Sequence, residues 1–502
     1  MRRMLLGLGV ALVLVGCGGD DGDGGAPATG GADAGLGGSA GSSTGGSAGG
    51  GGQSGSGGSG GGQAGSGGQA GAAGSGGSGG VTPPPYDVNA SKRQGCQFGS
   101  GLLTTETVGP NVPHGDALPF DHVVVLMLEN RSFDHYFSEL PKAGVTDVDV
   151  ATDQDFNVDP TNQQKIFRYH ETRYCIEDTN HEWDGSHEQY GDGKMDGFVA
   201  SNNPGGARAM GYYTEQDLPF YYWMAKTFSI SDRHFCSLLG PTWPNRFFFY
   251  GATAWGNTKT EEINPITADT FKTATKITDQ MVNAGKTWRI YRDGLVSFAT
   301  VWGLTTENIG VPLTQLATDV QNDTLPDLVI IDPNFTGAGQ NDEHPPSNIQ
   351  LGQKLTSNVY ATLTSNPAVW QKTVFIVTYD EHGGYYDHVP PPPACQPDNL
   401  LPPTGKYDRL GFRVPLLVAS PYVKKGYVSH FVTDLTSVTR FIQNRFDLPS
   451  MTVRDSNAWP MLDMFDFGNP PFATPPGGAP SADPDPAGVQ WCANNPPGTG
   501  KP

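Results

Sequence analysis

The chain has 502 residues, with 51 acidic and 31 basic side chains, a formal net charge of −20 and 69 glycines. About 35 of the glycines fall in residues 1–80, so the rest of the chain has an ordinary globular composition and is long enough to form a large core. The negative charge argues against nucleic acid as a partner, because phosphate backbones are bound by cationic surfaces.

The first 80 residues have the composition of a targeting signal followed by a linker. Two arginines precede an apolar run, Met4 to Val15, which is too short to span a bilayer. The run ends in LVGC, which resembles a bacterial lipobox with Cys17 as the lipidated residue; a cleaved signal with a chance cysteine is the alternative. We predict a lipoprotein signal peptide over 1–17, a disordered Gly/Ser/Ala-rich linker over 18–80, and an exported protein anchored by lipid to an outer membrane or cell surface.

Five further cysteines follow, and none lies in a CxxC pair, which argues against a thiolate zinc site. Exported proteins usually oxidise such cysteines, and an odd number leaves at least one unpaired. We predict that Cys236, in the apolar segment HFCSLL, is a buried free thiol. The Pro/Gly-rich end, residues 468–502, is predicted to be an irregular tail held through Cys492.

Residues 81–467 are predicted to form the catalytic domain, built on a mostly parallel sheet covered by helices. Short apolar runs at 328–331 and 414–418 read as sheet strands. Two further runs, 123–128 and 373–379, show no alternation and so predict strands buried on both faces. Each of these two is followed by oxygen-bearing side chains: Glu129 and Asn130 after the first, Asp380 and Glu381 after the second.

These four side chains are candidate ligands for one divalent metal ion. In open α/β sheets, ligands bind beyond the carboxyl ends of the strands, so both pairs are expected at a common edge. Acidic residues also cap helices and start turns, which is the structural alternative. An all-oxygen set favours Mg²⁺ or Ca²⁺, whereas a neighbouring histidine would admit Zn²⁺ or Mn²⁺.

The segment GPTWPNR, residues 240–246, predicts a helix start. Pro244 fits a first helical turn, which places Thr242 at an N-terminus that favours an anion. Thr242 is either a simple N-cap or, beside a cation, a nucleophile that attacks phosphorus. Arg246 is either a brace for phosphoryl oxygens or part of a structural ion pair.

Two histidines lie in polar segments that read as loops, His181 in HEWDG and His344 in NDEHPP. A loop histidine is often merely solvated. In a phosphoryl-transfer site, however, histidines can protonate a leaving oxygen and activate water. Five aromatic side chains are candidates either for a cage around a quaternary ammonium group or for the core: Tyr221, Tyr222, Trp223, Tyr385 and Tyr386.

Six segments, in order, resemble the motifs of the bacterial phosphoesterase family. That family contains haemolytic and non-haemolytic phospholipases C and an acid phosphatase, and it belongs to the alkaline-phosphatase-like superfamily. The segments are HVVVLMLENRSFDHYF (122–137), HEWDG with GKMDGF (181–185 and 193–198), GPTWPNR (240–246), NDEHPP (341–346), VTYDEHGGYYDHVPPP (377–392) and GFRVPLLVASPYV (411–423).

The resemblance implies a three-layer α/β/α sandwich with a single-metal site. Carried over by motif, the metal ligands would be Glu129, Asn130, Asp380, Glu381 and Thr242. Thr242 would also be the nucleophile, Asn245 would contact the phosphoryl oxygens, and His181 and His344 would be the active-site histidines. Arg246 and His382 carry over less directly. The TWPNR spacing also matches the sulfatase core, but threonine cannot be oxidised to formylglycine, so sulfatase activity by that route is disfavoured.

The predicted function is therefore an exported, metal-dependent phosphoric ester hydrolase of the phospholipase C type. It would cleave phosphodiesters such as phosphatidylcholine through a phosphothreonine intermediate. The alternatives are an acid phosphatase acting on small phosphomonoesters and a non-catalytic surface-binding lipoprotein on a hydrolase scaffold. The scarcity of lysine and arginine favours the diester.

Overall fold

The computed structural model describes residues 82–260, 273–304, 306–337 and 339–495. The predicted signal peptide and linker lie outside these residues. Among the described residues, no helix combines the length and apolar character needed to cross a bilayer.

Fourteen strands occur in the described part of the chain. In chain order they are His122–Leu128 (β1), Phe156–Val158 (β2), Lys165–Phe167 (β3), Tyr169–His170 (β4), Gly211–Tyr212 (β5), Ser229–Ser231 (β6), His234–Phe235 (β7), Trp288–Arg292 (β8), Ile309–Pro312 (β9), Leu328–Asp332 (β10), Thr373–Tyr379 (β11), Leu416–Ala419 (β12), Tyr427–Ser429 (β13) and Thr433–Asp434 (β14).

Eight of the strands form one sheet, in the order β13-β6-β12-β11-β1-β10-β8-β9. Only β12 runs antiparallel to its neighbours, β11 and β6, and the other pairings are parallel. The mostly parallel sheet is thus confirmed. The run predicted at 414–418 does form a sheet strand, although it lies slightly later, at 416–419, and has the opposite direction.

The α-helices fall into two groups whose members pack on one another, as expected for a sheet covered on both faces. In the first group, Leu435–Arg445 packs on Thr104–Thr107, Thr242–Gly251 and Val453–Ser456, and Thr242–Gly251 also packs on Ile277–Asn283. In the second, Ile349–Thr364 packs on Pro219–Thr227, Thr314–Gln321 and Pro367–Trp370. The three-layer α/β/α prediction is confirmed.

Shorter or peripheral helices complete the described chain. The α-helices are Ala90–Gln94, Phe133–Phe137, Trp183–Tyr190, Phe298–Val301 and Pro486–Asn494. The 3₁₀ helices are Gly115–Ala117, Gly191–Gly193, Ala200–Asn202, Gly206–Met210 and Leu462–Met464.

The core is centred on β1 and β11, whose residues are buried from end to end. Both strands consist mainly of valine, leucine, isoleucine and phenylalanine, and burying each such side chain contributes about 1.5–3 kcal/mol. The two strands pair in parallel with Leu128 opposite Tyr379, so the chain leaves both strands at the same level. The rigid core therefore fixes where the residues after each strand lie.

Two disulfides link distant parts of the chain, Cys96 to Cys395 and Cys175 to Cys492. Cys236 is free and buried, as predicted. The tail is held through Cys492, but it is not irregular throughout, because Pro486–Asn494 is helical. The Asp485 side chain accepts hydrogen bonds from two backbone N–H groups of this helix, and Pro486 occupies its first turn, so the segment carries its own start signal.

Candidate functional site

Four oxygen-bearing side chains converge where β1 and β11 end. They are Glu129, Asn130, Asp380 and Glu381, and we call them the oxygen cluster. The backbone N–H of Asp380 donates to the Leu128 carbonyl at 3.2 Å, and that of Arg131 donates to the Glu381 carbonyl at 3.0 Å. The sequence prediction of a common edge is met for all four.

The turn after each strand requires unusual backbone. Asn130 has φ of 64°, and Gly383 has φ of 66°. A Cβ added to Gly383 would lie 2.3 Å from the Asn130 carbonyl oxygen, so only glycine allows the two turns to approach this closely. The glycines of the DEHGG segment thus serve to bring Glu381 beside Asn130.

Two oxygens of the cluster lack a hydrogen-bond partner among the described residues. Asn130 Oδ1 and Glu381 Oε1 are both buried, and neither accepts a hydrogen bond. Most buried polar atoms in folded proteins are hydrogen-bonded, so each exception calls for an explanation. A cation held by these oxygens would supply one.

The pKa values of the carboxyl groups in the cluster also indicate a place for a cation. Burial raises the pKa of Glu129, and the neighbouring charge of Asp380 raises it further. Burial also raises the pKa of Asp380 and of Glu381. Carboxylates crowded together out of water are stabilised when a cation offsets their charge. The residues therefore fit the divalent ion that the sequence predicted.

Arg246 supplies part of that positive charge. Its Nε lies 2.8 Å from Asp380 Oδ2, and its Nη2 lies 3.3 Å from Glu129 Oε1. The guanidinium also lies over the Phe298 ring, 4.5 Å from its centroid. Of the two roles considered for Arg246, the structure shows the ion pair.

The helix that carries Arg246 begins at Thr242, as predicted. Residues four apart lie on the same helix face, about 5–6 Å apart at Cβ, so Thr242 stands one turn from the guanidinium that binds the oxygen cluster. Thr242 is nearly buried, and its hydroxyl forms no hydrogen bond with any described residue. The hydroxyl is therefore not committed to a capping role.

Asn245 has its side chain committed to the loop before this helix. Its Oδ1 accepts from the backbone N–H of Ser237 at 2.8 Å and of Leu238 at 3.1 Å, while its Nδ2 donates to the carbonyls of Gly240 and Pro241. This arrangement fixes the entry of the chain into Thr242. Both atoms of the Asn245 amide are therefore hydrogen-bonded to this loop.

His181 and His344, separated by more than 160 positions in the chain, come together at the cluster; their ring centroids are 5.6 Å apart. His181 Nε2 is 3.2 Å from Asn130 Nδ2 and 4.0 Å from Glu381 Oε1, and its Nδ1 donates to the Thr179 carbonyl at 2.7 Å. Burial lowers the pKa of His181, but the carboxylates of Glu381 and Asp178 raise it, and the net direction is upward.

Asp178 was not identified from the sequence. Its carboxylate lies 3.7 Å from His181 Nδ1, and one ligand atom from each of Asp178, His181 and His344 falls within 4.8 Å of the others. The available signal was its position three residues before His181. An acidic residue in a polar loop has many other uses, so that spacing alone could not single it out.

Glu343 was also missed, and it holds the loop on which His344 lies. Its carboxylate is buried and accepts hydrogen bonds from the hydroxyls of Tyr136 at 2.6 Å, Tyr379 at 2.7 Å and Tyr221. Burial raises the pKa of Glu343 to about 7. Its backbone carbonyl accepts from Arg131, which ties the His344 loop to the turn after β1.

The aromatic residues considered for a cage mostly belong to the core. Tyr221 donates to Glu343, and Tyr385 stacks on His135 with centroids 3.8 Å apart while the Arg131 guanidinium covers its ring at 4.8 Å. Tyr222 is completely buried. These contacts support the core alternative.

His382, which follows the oxygen cluster in the sequence, is also buried. Its Nε2 lies 2.7 Å from Gln189 Oε1, and burial holds its pKa well below the ordinary range.

The chain is similar to one protein family and to several phospholipases C. A model of the phosphoesterase family matches residues 120–449. The chain is 32% identical to Phospholipase C B of Mycobacterium tuberculosis over 441 residues, covering 75% of this chain and 83% of that protein. It is 32% identical to Non-specific phospholipase C6 of Arabidopsis thaliana, covering 71% and 74% of the two chains. It is 31% identical to Non-hemolytic phospholipase C of Pseudomonas aeruginosa, covering 71% and 58%. The family match contains the whole oxygen cluster, Thr242 and both histidines.

Proposed function

We propose that this chain, which belongs to the phosphoesterase family and is a phosphoric ester hydrolase, is a metal-dependent enzyme of the phospholipase C type. Its substrates would be phosphodiesters such as phosphatidylcholine. One observation carries the proposal: the oxygen cluster, the helix that begins at Thr242 and the His181–His344 pair meet at one edge of the sheet. The names of the similar proteins support the choice of a phospholipase C.

The oxygen cluster and the Thr242 hydroxyl are the groups that would hold a divalent ion. Such an ion lowers the pKa of a hydroxyl and neutralises charge on phosphoryl oxygens. Asn130 Oδ1 and Glu381 Oε1, which accept no hydrogen bond from the part of the chain that the structure describes, are the strongest reason to place it there. The ion is expected to be Mg²⁺ or Ca²⁺ if oxygens alone bind it, and Mn²⁺ or Zn²⁺ if His181 takes part.

The proposed chemistry uses the chain's own groups in two displacements. In the first, Thr242 Oγ1 attacks phosphorus in line, a Thr–O–P bond forms, and the ester bond to the alcohol breaks. In the second, water attacks the same phosphorus and the Thr–O–P bond breaks, which releases phosphocholine. Of His181 and His344, one would accept the Thr242 proton in the first displacement while the other protonates the departing alcohol; in the second, the histidine pair accepts a proton from water and returns one to the Thr242 oxygen.

The distribution of charge supports a diester substrate. A phosphomonoester carries close to two negative charges near neutral pH, whereas a diester carries one. Arg246 is already paired with Asp380 and Glu129, so its charge is largely used within the site. A substrate with the smaller charge therefore fits this site better.

The test is hydrolysis of phosphatidylcholine and of a nitrophenyl phosphate monoester by the purified full chain, with and without a chelator. We expect the diester to be preferred and the chelator to abolish turnover. Thr242→Ala should lower turnover by about a thousandfold or more, because the nucleophile is lost, while Thr242→Ser keeps a hydroxyl and part of the activity.

Mass spectrometry of acid-quenched enzyme then tests the intermediate. A phosphocholine adduct is expected on the peptide that contains Thr242 in the wild type and is expected to be absent in Thr242→Ala. Full activity of the alanine variant, with its fold verified by circular dichroism, would exclude the phosphothreonine route. Turnover of the monoester alone would exclude the phospholipase.

We also propose that the protein is exported and anchored through a lipid on Cys17. The two disulfides support export, because such bonds form and persist in oxidising compartments. Growth with a labelled fatty acid should label the wild type but not Cys17→Ser, and the variant should move from the membrane fraction to the soluble fraction. Labelling of Cys17→Ser would contradict the proposed anchor.

A further inference from the structure

Gln189 is a fully buried glutamine whose side chain lies between two segments that carry site residues. It belongs to the helix Trp183–Tyr190, which begins two residues after His181. In the sequence it stands between the HEWDG and GKMDGF segments. A buried amide has an oxygen that accepts and N–H groups that donate, and folded proteins supply partners for most such groups.

The Gln189 amide is hydrogen-bonded through both its nitrogen and its oxygen. Its Nε2 donates to the Asn180 carbonyl at 2.5 Å and to Ser201 Oγ at 3.0 Å, and its Oε1 lies 2.7 Å from His382 Nε2. The Asn180 carbonyl can only accept, so the NH₂ group of the amide must face it and Oε1 must face His382. His382 Nε2 is therefore the donor to Oε1, and the amide has one orientation that satisfies these partners.

Two of these partners are sequence neighbours of site residues. Asn180 directly precedes His181, and His382 directly follows Glu381. The Nδ1 atom of His382 lies 3.3 Å from Glu381 Oε2, and that oxygen also accepts the backbone N–H of Gly383 at 2.7 Å. Glu381 Oε2 is thus held on the side of His382, which leaves Oε1 as the oxygen available to a cation.

The two segments that Gln189 joins also touch through their backbones. A Cβ added to Gly384 would lie 2.5 Å from the Asn180 carbonyl oxygen, the atom to which Gln189 donates. Glycine at this position therefore lets the turn after β11 approach that carbonyl. Across this contact, His181 Nε2 lies 4.0 Å from Glu381 Oε1. A movement of the Asn180 carbonyl would change that distance.

We propose that Gln189 is a positioning residue that holds His181 and Glu381 at the separation the reaction uses. Its amide joins the residue before the histidine to the residue after the glutamate. Replacing a side chain that orients a metal ligand in this way typically costs about 10–100-fold in metal affinity or activity. The proposal rests on the phospholipase function proposed above. The alternative is that Gln189 serves only the stability of the fold.

The first test is the affinity of the full chain for Mn²⁺, measured by isothermal titration calorimetry after metal has been removed with a chelator. Gln189→Met keeps the length of the side chain but removes its hydrogen bonds, so Glu381 is held less firmly and the Kd should rise about tenfold. The matched control is Gln443→Met, whose Kd should equal that of the wild type. Gln443 is also fully buried and hydrogen-bonded through both atoms of its amide, but its partners lie outside the site: Arg440, Gln280 and Asp455.

The second test separates kcat from KM, with dibutyroyl-phosphatidylcholine as substrate and Mn²⁺ at saturation. Gln189→Met should lower kcat about tenfold, because His181 is no longer held in place, and should leave KM within about twofold of the wild-type value, because the buried amide does not meet the substrate. Gln443→Met should leave both constants unchanged. Should Gln189→Met not fold, Gln189→Asn retains an amide that is one methylene too short to reach both segments, and the same changes in Kd and kcat are expected.

The outcomes separate this proposal from the one on which it rests. Equal values of Kd and of kcat in Gln189→Met and Gln443→Met would show that Gln189 serves only the fold, which would overturn the positioning role and leave the phospholipase function intact. If the wild type hydrolyses no phosphodiester, yet Gln189→Met still weakens Mn²⁺ binding, the phospholipase function fails and the placement of Glu381 by Gln189 stands.

Discussion

Two buried ionic clusters arise from the same two sequence motifs, and they differ in how their charge is balanced. The oxygen cluster uses the residues that directly follow β1 and β11. The arginine cluster uses residues a few positions further along, Asp134, Asp387 and His388, together with Arg413. The oxygen cluster contains three carboxylates and an amide, and the arginine cluster contains two carboxylates and a histidine whose ligand atoms lie within 4.8 Å of one another, so residue type alone does not separate the two clusters.

In the arginine cluster, the cations are part of the chain. Arg413 Nε lies 2.8 Å from Asp387 Oδ1 and its Nη2 lies 3.0 Å from Asp134 Oδ1, while His388 Nδ1 lies 2.6 Å from Asp134 Oδ2. Although burial raises the pKa of Asp134, His388 and Arg413 bring it well below its ordinary value. Its carboxylate is thus satisfied without any added ion.

In the oxygen cluster, Arg246 balances only part of the charge, and burial raises the pKa of all three carboxyl groups. In the arginine cluster burial raises the pKa of Asp387, whereas the pKa of Asp134 is lowered. Two oxygens of the oxygen cluster accept no hydrogen bond from the described residues. Charge that the fold leaves unbalanced can therefore mark a functional site. A cluster whose charge is balanced internally is expected to stabilise the fold.

The largest expected effect comes from Asp380→Asn in the oxygen cluster. Loss of one carboxylate should lower metal content, measured by elemental analysis of the purified protein, and should lower turnover by about a thousandfold, or about 4 kcal/mol of transition-state stabilisation. The matched control is Asp387→Asn, which removes a carboxylate seven residues later from the arginine cluster. Its metal content should stay at the wild-type level. Equal metal loss in both variants would erase the contrast.

The next effect is on stability, and it comes from Arg413→Met. Removing the cation leaves buried Asp387 without its ion pair and Asp134 with His388 alone, and breaking a buried pair in this way costs about 3–5 kcal/mol of unfolding free energy. Urea denaturation monitored by circular dichroism measures it. Metal content per folded molecule should remain unchanged.

The corresponding change in the oxygen cluster, Arg246→Met, serves as the comparison for Arg413→Met. A bound divalent ion would still balance Glu129 and Asp380 there, so the loss of stability should be smaller in metal-containing buffer and should grow when a chelator is added. Two variants that respond identically to the chelator would show that the oxygen cluster binds no ion.

The sequence alone predicted most of the oxygen cluster but not the arginine cluster. β1 and β11 were predictable because strands buried on both faces are continuously apolar, and the acidic residues that end them mark the sheet edge. The strand direction of β12 was not predictable, since an apolar run carries no information on direction. Thr242 at a helix start was predictable from Pro244, whose ring fits a first turn.

The rest depends on contacts between residues far apart in the chain. Arg413 meets Asp134 across more than 270 positions, and no local pattern shows that pairing. The same holds for Glu343 with its three tyrosines and for Asp178 with His344. Asn245 shows the opposite case: its motif suggested contact with substrate, whereas the fold uses its amide to fix a loop.

A further expected effect is the pH dependence that His388 gives to the stability of the arginine cluster. Burial lowers the pKa of His388, but the charge of Asp134 and hydrogen bonds to Asp134 and Asp149 raise it to about 10, against the opposing charge of Arg413. Because the pKa is raised in the folded state, the stabilisation is complete below the unfolded value of about 6.5 and is lost as the pH rises through about 10. The unfolding free energy of the wild type minus that of His388→Gln should therefore shrink between pH 7 and pH 10, as measured by urea denaturation at each pH. A flat difference over this range would mean that the charge of His388 does not contribute to the balance of the cluster.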